Sequence, residues 1–235
     1  MMRTGRCPWA LPLVLALMAG FMAPSRIRAA TLYDAGFGLP EGQGWQRTEQ
    51  TDPAAGIAVS LGPEGLRFDT TPLLSTGLLG GALWWAMDSL GFDFTQEFAV
   101  EASVRIVTAP DRSINTIIGW PRPGYGVAIS DLHGNFLWIG LGSGEVMLSH
   151  TAYGQYGSPN TVSAPFNTTD RHHVYRIERG PGGIGAALRI DGALVLHLLT
   201  LGSPDGSAGP SIYFGDLTFW ANSDSHTEWV RAFTP

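Results

Sequence analysis

Gly124-Tyr125-Gly126-Val127-Ala128-Ile129-Ser130 and Phe136-Leu137-Trp138-Ile139-Gly140-Leu141, joined by Asp131-Leu132-His133-Gly134-Asn135, are the two runs whose reading decides the fold. Each is too short for a helix and carries residues suited to a pleated surface, and the connecting five residues are turn formers. Paired as a hairpin, Ile129 opposes Leu137, Val127 opposes Ile139 and Tyr125 opposes Leu141, giving one apolar face. The other face pairs Ser130 with Phe136, Ala128 with Trp138 and Gly126 with Gly140. Continuing through Gly142-Ser143-Gly144-Glu145, the next strand sets Ser149 on the far side of Trp138. A large indole thus stands among small neighbours on the side away from the core.

The same period-two signal recurs outward from this hairpin. Phe98, Val100, Ala102, Val104 and Ile106 alternate with Glu97, Ala99, Glu101, Ser103 and Arg105, one face core and one wet. Further strands are expected at 65–69, 82–87, 146–150, 173–178, 186–190, 193–199, 211–215 and 228–233. Asp191-Gly192 between two of them is a two-residue hairpin turn, which needs positive φ at both central positions. Helical periodicity is nearly absent and there is no repeat or linker. The expectation is an all-β chain forming one antiparallel unit, a sandwich or barrel, over residues 31–235.

Phe94-Thr95-Gln96-Glu97-Phe98-Ala99-Val100-Glu101, His173-Val174-Tyr175-Arg176-Ile177, and Leu188-Arg189-Ile190-Asp191-Gly192-Ala193-Leu194-Val195, in that order, resemble the concanavalin A-like lectin/glucanase superfamily, and laminin G-like domains in particular. Tyr213-Phe214-Gly215-Asp216 and Glu228-Trp229-Val230-Arg231 are similar to the closing strands of its secreted bacterial members. The resemblance covers most of residues 32–233. It implies a jelly roll and carbohydrate as the ligand class, without supplying a catalytic signature.

Residues 1–30 read as a cleaved secretory signal peptide: Arg3 and Arg6, an apolar run from Trp9 to Ala23, then small residues. Cleavage fits after Ala29, with Ile27 and Ala29 at the selective positions, or after Ser25. The run is shorter than the ~20 residues a spanning helix needs, so the expectation is a secreted or periplasmic, not membrane-spanning, protein. All 14 cations of the chain are Arg. Without Lys, Schiff-base chemistry and a P-loop lysine are excluded. The single Cys, Cys7, lies in the leader, leaving no thiol nucleophile beyond it. Removing the leader takes 14 cations to 10 against 20 acids, a net charge near −10. Such a chain is a poor partner for nucleic acid or anionic lipid.

Glycosidases of this fold place acids in a Glu-x-Asp-x-Glu pattern on one strand. Glu97-Phe98-Ala99-Val100-Glu101 lacks the central acid. Its two Glu lie roughly 13 Å apart on a strand, beyond the ~5–9.5 Å of acid pairs. Asp88, Asp131, Glu145 and Glu178 are candidates for acids meeting from several strands. His172 and His173 point to opposite faces and cannot ligate one ion by themselves. Asp216, Asn222 and Asp224 offer oxygen ligands of the kind Ca2+ takes, although the spacing matches no known motif; no other cofactor is expected. Asn167-Thr168-Thr169 is a glycosylation acceptor only in a eukaryotic secretory pathway.

The ligand-binding candidates are aromatic: Trp138 with Ser149 beside it, Trp84 sharing a strand face with Asp88, and the loop residues Trp120, Tyr153 and Tyr156. Trp138 supports two readings, a platform on which a sugar ring stacks or a ring covered by a loop in a second core. The leading expectation is a secreted, non-catalytic, lectin-like module binding a polysaccharide or cell-surface glycan. The alternatives are a jelly-roll glycoside hydrolase or polysaccharide lyase, and a structural interaction module without small ligand.

Overall fold

The computed structural model describes residues 28–50, 57–71, 82–88, 92–109, 113–114, 121–131, 133–150, 160–179, 185–199, 210–217 and 222–234. Its strands are β1 (Arg28–Asp34), β2 (Gln46–Gln50), β3 (Ala58–Gly62), β4 (Gly65–Asp69), β5 (Ala82–Asp88), β6 (Phe98–Thr108), β7 (Ser113–Ile114), β8 (Pro121–Arg122) and β9 (Tyr125–Ser130). These are followed by β10 (Phe136–Leu141), β11 (Glu145–Ser149), β12 (Thr161–Pro165), β13 (His173–Arg179), β14 (Ala186–Ile190), β15 (Ala193–Leu198), β16 (Ser211–Asp216) and β17 (Asp224–Thr234).

Two antiparallel sheets form the sandwich. Sheet A runs β15-β14-β13-β6-β17-β4-β3, with β1 also paired to β17, and sheet B runs β12-β11-β10-β9-β16-β5-β2. β9, β10 and β11 pair in the register the sequence dictates, Leu137 opposite Ile129 and Trp138 opposite both Ala128 and Ser149. The inward faces meet in one core containing Val100, Val104 and Ile106 of sheet A and Trp85, Val127, Leu137, Ile139 and Phe214 of sheet B. Trp85 is fully buried, stacked on Phe214 at 5.3 Å and meeting Phe68 edge-on at 5.6 Å. Asp191 and Gly192 take φ of 50° and 83°, so the β14–β15 turn is the expected positive-φ hairpin.

Three differences from the sequence reading have physical causes. β1, β2, β3 and β12 were not expected as strands; β2, β3 and β12 are five-residue strands at sheet edges, and β2, Gln46-Arg47-Thr48-Glu49-Gln50, has no apolar residue. β17 starts at Asp224 rather than Glu228. Its inward positions there are Ser225 and Thr227, polar residues that hide the period; the Thr227 and Tyr125 hydroxyls share a 2.8 Å hydrogen bond inside the sandwich. β1 begins at Arg28, within the expected leader, and only cleavage after Ser25 would leave it whole. Residues 1–27 lie outside the described residues. Among those described, no helix is long and apolar enough to cross a membrane.

Candidate functional site

Alternation along sheet B turns Trp84, Ala86 and Asp88 of β5 to its outer face, because Leu83 and Trp85 point into the core. On β16 the same logic turns Ser211, Tyr213 and Gly215 outward, with Ser211 opposite Asp88 and Gly215 opposite Trp84. β9 and β10 contribute Ser130, Ala128 and Gly126, and Phe136, Trp138 and Gly140. The exposed Asp88 is held by the Ser211 hydroxyl, which donates to its Oδ1 at 2.7 Å. Half-buried Tyr213 reaches over the small side chains of β9 to half-buried Phe136, with ring centroids 6.0 Å apart. At about 3.3 Å per residue, Trp84 and Asp88 lie roughly 13 Å apart along β5 with only Ala86 between them. The result is a strip with an indole at one end, an oriented carboxylate at the other and a small residue as floor.

Trp138 occupies the expected face but is not an open platform. It is 3% exposed and packs with Ala128 and Met147 under Phe136, Tyr213 and Leu217, forming a second, smaller core. The covering is built into the backbone. Gly140 and Gly126 form a cross-strand pair, and a Cβ at Gly140 would fall inside Pro123, while one at Gly126 would lie 2.9 Å from Leu217 Cδ1. The absent side chains leave a trough into which Pro123 and Leu217 lie. Ser149 is likewise buried, its hydroxyl shared with Thr161 at 2.9 Å. Of the two readings of Trp138, the covered ring is the one the structure displays. Trp84, flanked by Gly215 and Thr48, remains half-buried on the same face. Trp120, Tyr153 and Tyr156 lie outside the described residues.

The four candidate acids do not converge. Asp131 is fully buried and clamps its own loop, accepting from the backbone N–H of Phe94, His133 and Asn135 and from the Asn135 amide at 2.8–3.2 Å. Glu178 sits on the outer face of sheet A between Arg176 and Arg189. There burial pushes its carboxyl upward, but hydrogen bonds and charge from the two guanidiniums outweigh it and hold it below the ordinary range. Glu101 is paired with Arg176 at 2.8 Å on that same face. Only Asp88 and Glu145 share the outer face of sheet B. Register separates them by four strands across, about 19 Å, and six residues along, about 20 Å. At that separation Asp88 and Glu145 cannot serve as the acid pair of glycoside hydrolysis.

Of the expected calcium ligands, Asp216 and Asn222 meet at Thr70, while Asp224 is engaged by Arg67. Asp224 is a strand residue clasped by Arg67 through two hydrogen bonds of 2.8 and 2.9 Å. Asp216 Oδ2 accepts from Thr70, and the Asn222 amide donates to the Thr70 carbonyl. Among the described residues no group of three His, Cys, Asp or Glu is placed to hold a metal ion. His173 faces inward, its ring nitrogens 2.8 Å from Asp170 and Asp191, while His172 faces outward, 4.0 Å from Glu228. Asn167 is exposed and accepts from the backbone N–H and hydroxyl of Thr169, a local turn.

No family model and no curated protein matches the sequence. Solved structures do match. A conserved carbohydrate esterase from Shiga toxin-encoding bacteriophage phi24B aligns over 88% of this chain and 99% of its own, with TM-score 0.57 and 12% identity. The Crh5 transglycosylase aligns over 88% and 84%, at 0.53 and 15%. An endo-1,3-beta-glucanase from Streptomyces sioyaensis aligns over 90% and 97%, at 0.50 and 13%. The chain has a concanavalin A-like jelly-roll fold. At these identities the likeness is one of fold, and the jelly roll's outer sheet B face is where its side chains depart from a plain solvated surface.

Proposed function

We propose that this jelly roll is a non-catalytic carbohydrate-binding module that seats a glycan along β5 on the outer face of sheet B. The carrying observation is the strip Trp84-Ala86-Asp88 beside Tyr213 and Ser211: a flat aromatic face for sugar C–H groups and a fixed acceptor for hydroxyls, with a small residue between. The esterase and glucanase named above support the ligand class. The wide separation of Asp88 and Glu145 favours binding over hydrolysis. The leader pattern supports action outside the cytoplasm, on polysaccharide or cell-surface glycan. Calcium is not needed by this site; a role for it rests on Asp216 and Asn222 alone, and a chelator-sensitive melting temperature would be its sign. The test is a glycan array run alongside a reducing-sugar assay on the purified chain. Binding without turnover supports the module, turnover supports the hydrolase or lyase alternative, and silence in both supports an interaction module without small ligand.

A further inference from the structure

We propose that Asp170, His173 and Asp191 form a proton-operated latch at one end of the sandwich, closed while the imidazole carries a proton on both nitrogens and open at Asp170 once it carries one. The His173 side chain is 4% exposed, with Nε2 2.8 Å from Asp170 Oδ1 and Nδ1 2.8 Å from Asp191 Oδ2. A neutral imidazole has one donor and one acceptor, and an ionised carboxylate only accepts, so two such contacts need either the doubly protonated ring or a protonated carboxyl. Both carboxyls favour ionisation. The hydrogen bond from His173 holds Asp170 below the ordinary carboxylate range. Burial pushes Asp191 upward, but the Val174 N–H and His173 outweigh it. In the closed latch the second proton therefore belongs to the ring. Around that ring stand Phe166, edge-on at 4.9 Å, and Tyr175 at 6.1 Å, while the facing residue of β6 is Val104. Burial pushes the Tyr175 hydroxyl far above its ordinary range, which keeps it neutral. Arg105 of β6 and Arg189 of β14 reach only backbone carbonyls here, those of Thr169 and Gly192, at 3.4 Å each.

The two carboxylates differ in what else holds them. Asp191 Oδ2 accepts from Arg171 at 3.0 Å as well as from His173, its Oδ1 accepts from the Val174 N–H at 3.0 Å, and its own N–H donates to the Val174 carbonyl at 2.9 Å. Asp170 is exposed, and among the described residues His173 is its one side-chain partner. When the ring gives up a proton, Nδ1–H stays with the better-held Asp191 and Nε2 turns a lone pair toward Asp170. That contact changes from ion pair to repulsion. Asp170 belongs to the connection between β12 and β13, whose fully buried Thr168 ties the two sheets together. The Thr168 hydroxyl donates to the Gly142 carbonyl at 2.6 Å, its N–H donates to the Ser143 carbonyl at 3.2 Å, and its carbonyl accepts from the Ile106 N–H at 3.2 Å. The second proton on His173 thus decides whether the segment that clasps β6 to the β10–β11 turn is also anchored to β13.

The experiment follows the isotope-labelled whole protein by NMR between pH 5.5 and 9, reading the His173 ring nitrogens together with the hydrogen-exchange protection of the amides from Thr168 to Arg171. Because Asp170 is exposed, releasing it changes global stability little, so the readout is local. Protection should fall about fivefold as pH rises, the size expected of one exposed ion pair, and along the same curve as the ring nitrogens. Asp170→Asn should abolish that fall, since the amide oxygen accepts from the protonated ring and the amide N–H donates to the neutral one. In that variant the ring should also lose its second proton at a lower pH than in wild type, with one carboxylate removed from its side. Protection that stays constant through the titration of the ring, falls along a different curve or still falls in Asp170→Asn overturns the proposal. So does a ring that carries a single proton over the whole range.

Discussion

The two outer faces of this sandwich share one architecture and use it differently. On sheet A, Glu101, Arg176, Glu178 and Arg189 form a chain of ion pairs of 2.6–2.9 Å, and Arg176 and Arg231 lie over Phe233 and Trp229 at 4.9 and 4.0 Å. Its charges and rings are engaged with each other. On β5, β16, β9 and β10 of sheet B the outward positions other than Asp88 are aromatic, small or hydroxyl-bearing, and Asp88 meets a serine. A face that satisfies itself has little left for a ligand, whereas one that leaves flat apolar area and an oriented acceptor has both. The same contrast recurs within sheet B, where Trp138 is sealed by Pro123 and Leu217 while Trp84 stays half-buried at the strip's end.

The neighbours Trp84 and Trp85 give the largest expected difference. Trp85→Ala should cost about 3–5 kcal/mol in urea denaturation, as for a fully buried Trp, and Trp84→Ala less than about 1 kcal/mol. Equal costs would mean that the face assignment of β5 is wrong.

Trp138→Ala should come next, costing about 3 kcal/mol, near the buried end of the scale because the ring is covered. Gly140→Ala should cost roughly 1–3 kcal/mol by forcing Pro123 off the sheet. If Trp138→Ala leaves the melting temperature unchanged, the second core does not form and the ring is a platform after all.

On the self-satisfied face, Arg176→Ala should lower stability by about 1 kcal/mol, because the group is half-buried and its partners are screened. It should leave glycan affinity unchanged. A loss of binding there would move the site to sheet A.

The smallest effects are on pH. Glu178 and Asp191 are both shifted up by burial, but hydrogen bonds outweigh it, from Arg176 and Arg189 for the former and from the Val174 N–H and His173 for the latter. Their folded values lie below the ordinary 4.5 and 3.8, so their stabilisation is present above those values and fades as pH falls through the folded ones. His226 differs in sign of charge. Burial lowers its folded value below 6.5, so the fold prefers the neutral ring and a small loss of stability begins as pH falls through 6.5. Urea midpoints between pH 7.5 and 5.5 should drift down in the wild type and stay flatter in His226→Gln.

Short connections made the β9–β10–β11 register legible: with a five-residue loop and the three-residue connection Gly142-Ser143-Gly144, the apolar alternation leaves one pairing that buries Ile129, Val127 and Leu137. The Asp191-Gly192 turn was legible for the same reason. What lies across a sheet or above it was not. β16 joins β9 from more than 80 residues away, so Tyr213 beside Phe136 leaves no local trace. The cover over Trp138 comes from Pro123 and Leu217, and its only sequence signal is the pair Gly126 and Gly140, small residues where a strand would ordinarily carry a side chain. Asp224 as a strand residue was masked by Ser225 and Thr227, polar positions inside the sandwich.

The most direct test of the account is isothermal titration of wild type and Trp84→Ala with the oligosaccharide that binds best, paired with their melting curves. The account predicts affinity weakened by about 1–3 kcal/mol, the usual cost of losing an interface aromatic, at a melting temperature close to wild type. Unchanged affinity in a folded Trp84→Ala protein would contradict it and remove the glycan from the outer face of sheet B.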